Sequence, residues 1–386
     1  MVWLVITRAL QGFAGAMMMP QVLAIAQVTF PPHERGSAFS LFGLSAGLAS
    51  VAGPLVGGLL ISADIWGLDW RPIFLVNIPI GLIALVAAQI FVPKLPADHT
   101  IQNDPVGTLL AGGSVFLIVF ALIEGRGFGW SAWILGLIAL ALVGFVMFYR
   151  YEHRREAQNK AQLLPAHLLS NGNFMLGTSM VLLFFSGVAG FFMVLALFLQ
   201  TGLGVSPLQS GLSTVPFPAG VLIVSIINNR FGSRFLRQRV AVGALLLLTG
   251  MTWLRTVIGD IGDFADHWKI APALFIAGLG LGATISSLFQ SVLANVPARD
   301  AGSGSGALQS FQQVGGAVGV AVMGQIFFTI LELRGAQPGD HEAFVDAMRS
   351  AIIYEMLAFG VVALLVFFLK APTAHAGAPA HAPVVE

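Results

Sequence analysis

Eleven apolar stretches, each about as long as a bilayer is thick, dominate the chain. They cover residues 3–28, 38–61, 72–92, 106–123, 130–148, 174–199, 208–227, 240–258, 270–292, 307–330 and 351–369. In hydrocarbon a backbone must satisfy its own N–H and C=O groups. About 20 apolar residues in a helix do that across a membrane. The stretches 208–227 and 240–258 are the least regular, because prolines or polar neighbours interrupt them. A short amphipathic piece, 163–170, precedes the sixth stretch and reads as interfacial. Composition agrees: 56% of the 386 residues are hydrophobic, 10% are charged, and the mean hydropathy is +0.85. A water-soluble domain carries roughly a quarter charged residues, so lipid must cover much of this surface. The fold class expected is an all-α membrane protein with about 11 transmembrane helices.

Charge placement orients these helices, since cytoplasmic loops retain Lys and Arg. One set of alternate loops holds twelve: Arg35, Lys94, Arg150, Arg154, Arg155, Lys160, Arg230, Arg234, Arg237, Arg239, Arg299 and Lys370. The other holds six: Arg71, Arg126, Arg255, Lys269, Arg334 and Arg349. The first set is expected in the cytoplasm, with the C-terminus, in a multi-pass protein of the inner (plasma) membrane. Eleven spans then place Met1 outside, an arrangement expected when an odd number of spans is missing ahead of it.

An internal repeat points the same way. Pro32-His33-Glu34-Arg35-Gly36-Ser37 and Pro297-Ala298-Arg299-Asp300-Ala301-Gly302-Ser303 each follow a long apolar stretch and open a Gly-rich one. Two parallel halves with a substrate site between them form a recurrent transporter architecture. Three spans precede the stretch before the second copy and none precedes the first, so the N-terminal bundle reads as incomplete by three helices. The division expected is 1–92, a partial N-terminal bundle of three spans; 93–162, two extra central spans with linkers; 163–370, a six-helix C-terminal bundle; and 371–386, a disordered cytoplasmic tail.

Chemistry-bearing residues are sparse. Arg8 lies in the first span beside Gln11, Gly12 and Gly15, where a central charge costs about 2.5–3.5 kcal/mol. It either faces a wet cavity or a carboxylate, or it snorkels to the outer headgroups. Gly53, Pro54, Gly57 and Gly58 combine close approach with a proline bend. Candidate titrating acids are Glu124 and Glu355, the latter read as one turn into the last span, where interfacial solvation competes with burial. Asn77, Gln200, Gln290, Gln309 and Gln312 are polar groups available for substrate or interhelical hydrogen bonds. Phe185, with its aromatic neighbours, either lines an apolar cavity or packs.

Other classes fail. The chain has no cysteine, no phosphate-binding Gly-x-x-x-x-Gly-Lys-[Ser/Thr], and no histidine spacing that suits a metal. Gly278-x-Gly280-x-x-Ala283 mimics a dinucleotide fingerprint but lies inside a span. The basic loops read as orientation signals and not as a nucleic-acid face. No enzyme activity and no cofactor are expected.

Several motifs together carry a resemblance. Arg8-Ala9-Leu10-Gln11-Gly12 resembles the fourth-span motif of the major facilitator superfamily. Ala49-x-x-x-Gly53-Pro54-x-x-Gly57-Gly58 resembles its fifth-span antiporter motif, with Ala49 in place of glycine. The stretch from Trp70 through Arg71 and Asn77 to Gly81 is similar to the start of the sixth span in the fourteen-span drug:proton antiporters, with Pro72 replacing an aromatic. Asp104-Pro105-x-Gly107 through Glu124-Gly125 looks like the two additional central spans of that group. Leu199-Gln200-Thr201-Gly202 through Gly211 and Gly302–Gly306 extend the likeness into the second half. The family's motif between spans two and three, and its first-span acid, have no counterpart here.

The resemblance implies a secondary transporter: efflux of amphipathic drugs or small organic molecules by alternating access, driven by the proton gradient. It implies proton coupling at Arg8 and a leak-limiting bend at Gly53, Pro54, Gly57 and Gly58. Partners would be the substrate, protons and lipids, with the protein acting as a monomer. A non-transporting truncated remnant and a nutrient symporter are the alternative readings.

Overall fold

The computed structural model describes residues 2–370, apart from 32–33, 64, 69–70, 93–103, 159, 232–233, 263 and 295. Among the described residues every regular element is helical. The helices are α1 (Val2–Thr29), α2 (Arg35–Ser62), α3 (Pro72–Leu75), α4 (Asn77–Phe91), α5 (Pro105–Glu124), α6 (Ala132–Ala157) and α7 (Ala166–Leu169). They continue with α8 (Gly172–Leu197), α9 (Pro207–Thr214), α10 (Pro216–Phe231), α11 (Leu236–Val257), α12 (Ala271–Leu293), α13 (Ala301–Arg334) and α14 (His341–Leu365). Ten spans among the described residues are long and apolar enough to cross a membrane. The second stretch is not one of those ten, but it forms the 28-residue α2, about 42 Å long at 1.5 Å per residue. The tail 371–386, Lys94, Pro32 and His33 lie outside the described residues.

Local chemistry explains where the helices break. Pro79 cannot donate to the carbonyl four residues back, and the third span is split at Val76 into α3 and α4. Pro216 divides the 208–227 stretch into α9 and α10, and Ser206 with Gln209 forms a capping box at the start of α9. Asn171 caps α8 by accepting from Asn173 N and Phe174 N, and Asp340 caps α14 by accepting from Ala343 N.

Most helices run a few residues beyond the stretches read from sequence, and α6, α13 and α14 run furthest. The basic segment 150–157 continues α6. The Gly-rich residues 302–306 already belong to α13, whose 34 residues exceed the expected 307–330. The acidic segment that reads as an outer loop forms the first turns of α14, which begins at His341 and not near 351. The cause is visible in its packing: Ala343, Phe344, Val345, Ala347 and Met348 are buried.

The core sits among α8 and α10–α14. Its largest fully buried side chains include Phe174, Phe184, Phe191, Phe198, Phe289, Phe327 and Phe359. Small residues bring these helices together without a hydrophobic drive between them. A Cβ on Gly190 of α8 would lie 2.5 Å from the Gly319 carbonyl oxygen of α13, so the backbones there are in direct contact. Gly278 meets the Phe217 backbone of α10, and Gly280 the Gly243 backbone of α11. The apparent dinucleotide fingerprint is therefore a two-sided helix-packing face. The first three spans contribute little to this core: α4 has no buried residue, and among the described residues only Leu23 and Phe39 extend the buried cluster from α1 and α2.

Candidate functional site

The seam where α1 and α2 meet α12 and α13 is the place to look for a site, because it joins the two parts of the chain. Aromatic rings run across it. Phe42 of α2 lies 6.2 Å from Phe289 of α12, and Phe289 lies 6.0 Å from Phe185 of α8. Phe185, one of the sequence candidates, is half-buried and also stands edge-on to Phe184 at 5.4 Å. Next to Phe289 in sequence, Gln290 is buried, and its side-chain Oε1 has no hydrogen-bond partner among the described residues. Gln312 of α13 likewise has a buried, unpartnered Oε1, and Gln309 is half-buried one turn earlier. Buried amide oxygens without partners are costly, so these two are positions at which a ligand or water would be gained cheaply.

The remaining candidates lie elsewhere. Arg8 is exposed. It donates to Gln11 Oε1 at 2.9 Å, its guanidinium sits 4.3 Å from the centroid of the Phe74 ring, and it makes no ion pair among the described residues. Cation–π contact and an amide therefore stand where a carboxylate was one expectation. Gly15 is half-exposed with open space where a Cβ would project. Asn77 hydrogen-bonds back to Ile73 O at 3.4 Å and Phe74 O at 3.3 Å, bridging the α3–α4 break. Gln200 donates to Ser210 Oγ at 3.4 Å at the far end from the basic loops, in an open recess of about 630 Å³ with Gly262, Pro338 and His341.

Of the three glycines in the antiporter-like motif, only Gly58 makes a close approach: a Cβ added to it would lie 3.2 Å from Leu208 Cα, whereas Gly53 and Gly57 face open space. The helix is continuous through residues 53–58, including position 54.

Of the two acids, Glu124 is exposed at the last residue of α5. Glu355 is fully buried, and neither carboxyl oxygen has a hydrogen-bond partner among the described residues. This corrects the expectation of an interfacial acid. Because α14 starts at His341, Glu355 lies 14 residues along it, about 21 Å from its beginning. Next to it the Tyr354 hydroxyl shares a 2.8 Å hydrogen bond with Ser186 Oγ, so the polar neighbour is engaged elsewhere.

Two constellations escaped the sequence reading. Gln27 in the last turns of α1 is 1% exposed and donates to Leu293 O and Val296 O at the end of α12. At the basic end of α5, Asp104 caps the helix through Gly107 N at 3.0 Å, accepts from the Tyr151 hydroxyl at 2.9 Å, and lies 3.5 Å from Arg155 Nε. Glu152 is buried beside it and accepts from Leu163 N. The Asp-Pro-x-Gly spacing signals such a cap. Nothing in the sequence marks Gln27.

The family model for the Major Facilitator Superfamily matches residues 1–107 and 105–320. The chain is 38% identical over 325 residues to a protein of Streptomyces coelicolor described as a probable actinorhodin transporter, covering 84% of this chain and 56% of that one. It is 33% identical over 330 residues to the tetracenomycin C resistance and export protein of Streptomyces glaucescens, covering 83% and 58%. It is 32% identical over 329 residues to a puromycin resistance protein of Streptomyces alboniger, covering 84% and 63%. The chain belongs to the major facilitator superfamily, and the ten long apolar helices among its described residues fit a multi-pass membrane protein. It spans about three-fifths of the length of these relatives.

Proposed function

We propose that the protein exports amphipathic aromatic small molecules, with protons moving in the opposite direction, by alternating access between two helical halves. The observation that carries this reading is the aromatic seam: Phe42, Phe289 and Phe185 bridge the halves, with the unpartnered Oε1 of Gln290 one residue along α12. Flat polycyclic molecules gain most from such stacked and edge-on rings, and a few converging polar groups set their orientation. The likeness to export and resistance proteins for actinorhodin, tetracenomycin C and puromycin supports the same substrate class.

Residues 1–92 belong to one half and 163–370 to the other, with α5 and α6 as a central hairpin. The chain lies in the cell membrane with its basic loops, and hence the end of α14, in the cytoplasm; twelve Lys and Arg against six favour that orientation. It acts as a monomer.

Glu355 is the favoured proton carrier. A buried carboxyl without partners exchanges its proton only when a rearrangement brings it water or a counter-charge, which ties proton release to helix movement. Arg8, held by Gln11 and Phe74, supplies the mobile positive charge on the other half. Gly58, against Leu208, keeps α2 close to α9 while the halves rock. The test is transport by the purified chain in liposomes. A pH gradient should drive accumulation of an aromatic cation, and Glu355→Gln should abolish the gradient dependence while leaving substrate exchange. Gradient-independent transport by the unmodified chain would refute proton coupling, and no transport at all would favour a non-transporting chain.

A further inference from the structure

Contact between α1 and the second half of the molecule is confined to one end. Leu10, Phe13 and Met17 of α1 are 63%, 68% and 62% exposed, whereas Leu23 and Gln27, further along, are each 1% exposed. At that end Gln27 Nε2 donates to two main-chain carbonyls of the other half, Leu293 O at 2.9 Å and Val296 O at 3.1 Å. These carbonyls belong to the last residue of α12 and to the turn beyond it. Helix C-termini present carbonyls that no intrahelical N–H can reach, and they carry the negative end of the helix dipole. A terminal amide has two N–H donors on one nitrogen, which suits a pair of such acceptors.

Apolar groups are buried on the helices packed against α1 and α12. Phe39 of α2 is buried, Phe42 packs against Phe289, and Val296 is buried over Gly304 of α13. The other atom of the Gln27 amide, Oε1, is buried without a partner among the described residues. The two donor bonds favour closure, while the stranded acceptor would regain water on opening. A contact with both features is poised, as a seam that must open once per cycle requires.

We infer that Gln27 is a latch that holds the cytoplasmic ends of the two halves shut, so that loading from the cytoplasm requires the Gln27–α12 bonds to break. The assignment of that end to the cytoplasm, and the rocking of the halves, rest on the transport reading above. The closed contact itself does not.

The chain contains no cysteine, so spin labels can be placed at Val28→Cys and Ala294→Cys, both exposed beside the seam. A single Ala24→Cys, a position 9% exposed, reports accessibility to a membrane-impermeant maleimide. Gln27→Glu keeps the size but sets a carboxylate against two carbonyl oxygens. It should move the label-to-label distribution to longer distances and speed maleimide labelling about tenfold, the factor that corresponds to losing one net hydrogen bond of ordinary strength. Gln27→Leu, which cannot repel, should open the seam in the same direction by a smaller factor. Unchanged distances and labelling in both variants would overturn the latch. If the unmodified chain transports and the variants leave the seam closed, only the latch falls. If the variants open the seam while the unmodified chain shows no transport, the latch stands and the transport reading falls.

Discussion

The α8–α13 seam offers a prediction whose size follows from distances. Adding a methyl group at Gly190 would place it 2.5 Å from the Gly319 carbonyl oxygen and 2.6 Å from Met323 Sδ. Ordinary carbon–oxygen approaches lie near about 3.3 Å, so the two backbones must separate by about 0.8 Å. The sulfur can move; the carbonyl cannot without shifting α13. Overpacking against backbone costs roughly 3 kcal/mol, at the upper end of the usual range. The helix-propensity gain of alanine over glycine returns about 1 kcal/mol, leaving a net loss of about 2 kcal/mol.

Gly316, on the facing helix, is the control. Its added methyl would sit 3.6 Å from Ala189 Cβ, an ordinary contact, so Gly316→Ala should gain up to about 1 kcal/mol. The two substitutions are chemically identical and lie in one seam, and they should differ by about 3 kcal/mol in opposite directions. Heating each variant in mild detergent and following the monodisperse fraction by fluorescence-detected size exclusion gives the order of stability. Equal melting of Gly190→Ala and Gly316→Ala would refute the claim that backbone contact sets this seam.

Further expectations follow from the buried polar groups. Glu355→Leu should raise detergent stability by about 1–3 kcal/mol, because it removes a carboxyl with no partner, and should uncouple transport from the pH gradient; thermal melting and a vesicle pH dye read the two effects. Asp104→Ala should destabilise the α5–α6 hairpin by about 2 kcal/mol through loss of the cap and the Tyr151 bond, seen as faster hydrogen exchange across 105–124. Phe289→Ala should weaken binding of an aromatic cation such as ethidium by about tenfold, since the ring packs towards both Phe42 and Phe185; fluorescence titration measures it, and unchanged affinity would move the substrate site away from this seam.

The lengths of the apolar stretches were enough to place the spans, because a backbone in lipid has few alternatives to a helix. Helix ends were harder. Residues 341–350 look like an acidic loop, but Phe344, Val345, Ala347 and Met348 are buried where α14 packs against α8 and α11; only the tertiary partner discloses this. That ten-residue extension is what carries Glu355 from an apparent interface to the middle of a span. Gln27 was invisible for another reason. Its partner Leu293 O is a main-chain carbonyl 266 residues away, and a backbone acceptor leaves no mark in sequence. The Gly-x-Gly face at 278–280 shows the converse, a motif whose spacing serves backbone packing.

Proton-driven export is the central claim, and reconstitution tests it most directly. The purified chain would be placed in liposomes containing a pH dye, with ethidium outside, and a pH gradient imposed across the membrane. The account predicts gradient-driven ethidium accumulation with opposite proton flux, both lost on adding nigericin, and proton flux absent in Glu355→Gln. Ethidium movement that ignores the gradient, or no movement by correctly folded chain, would contradict it.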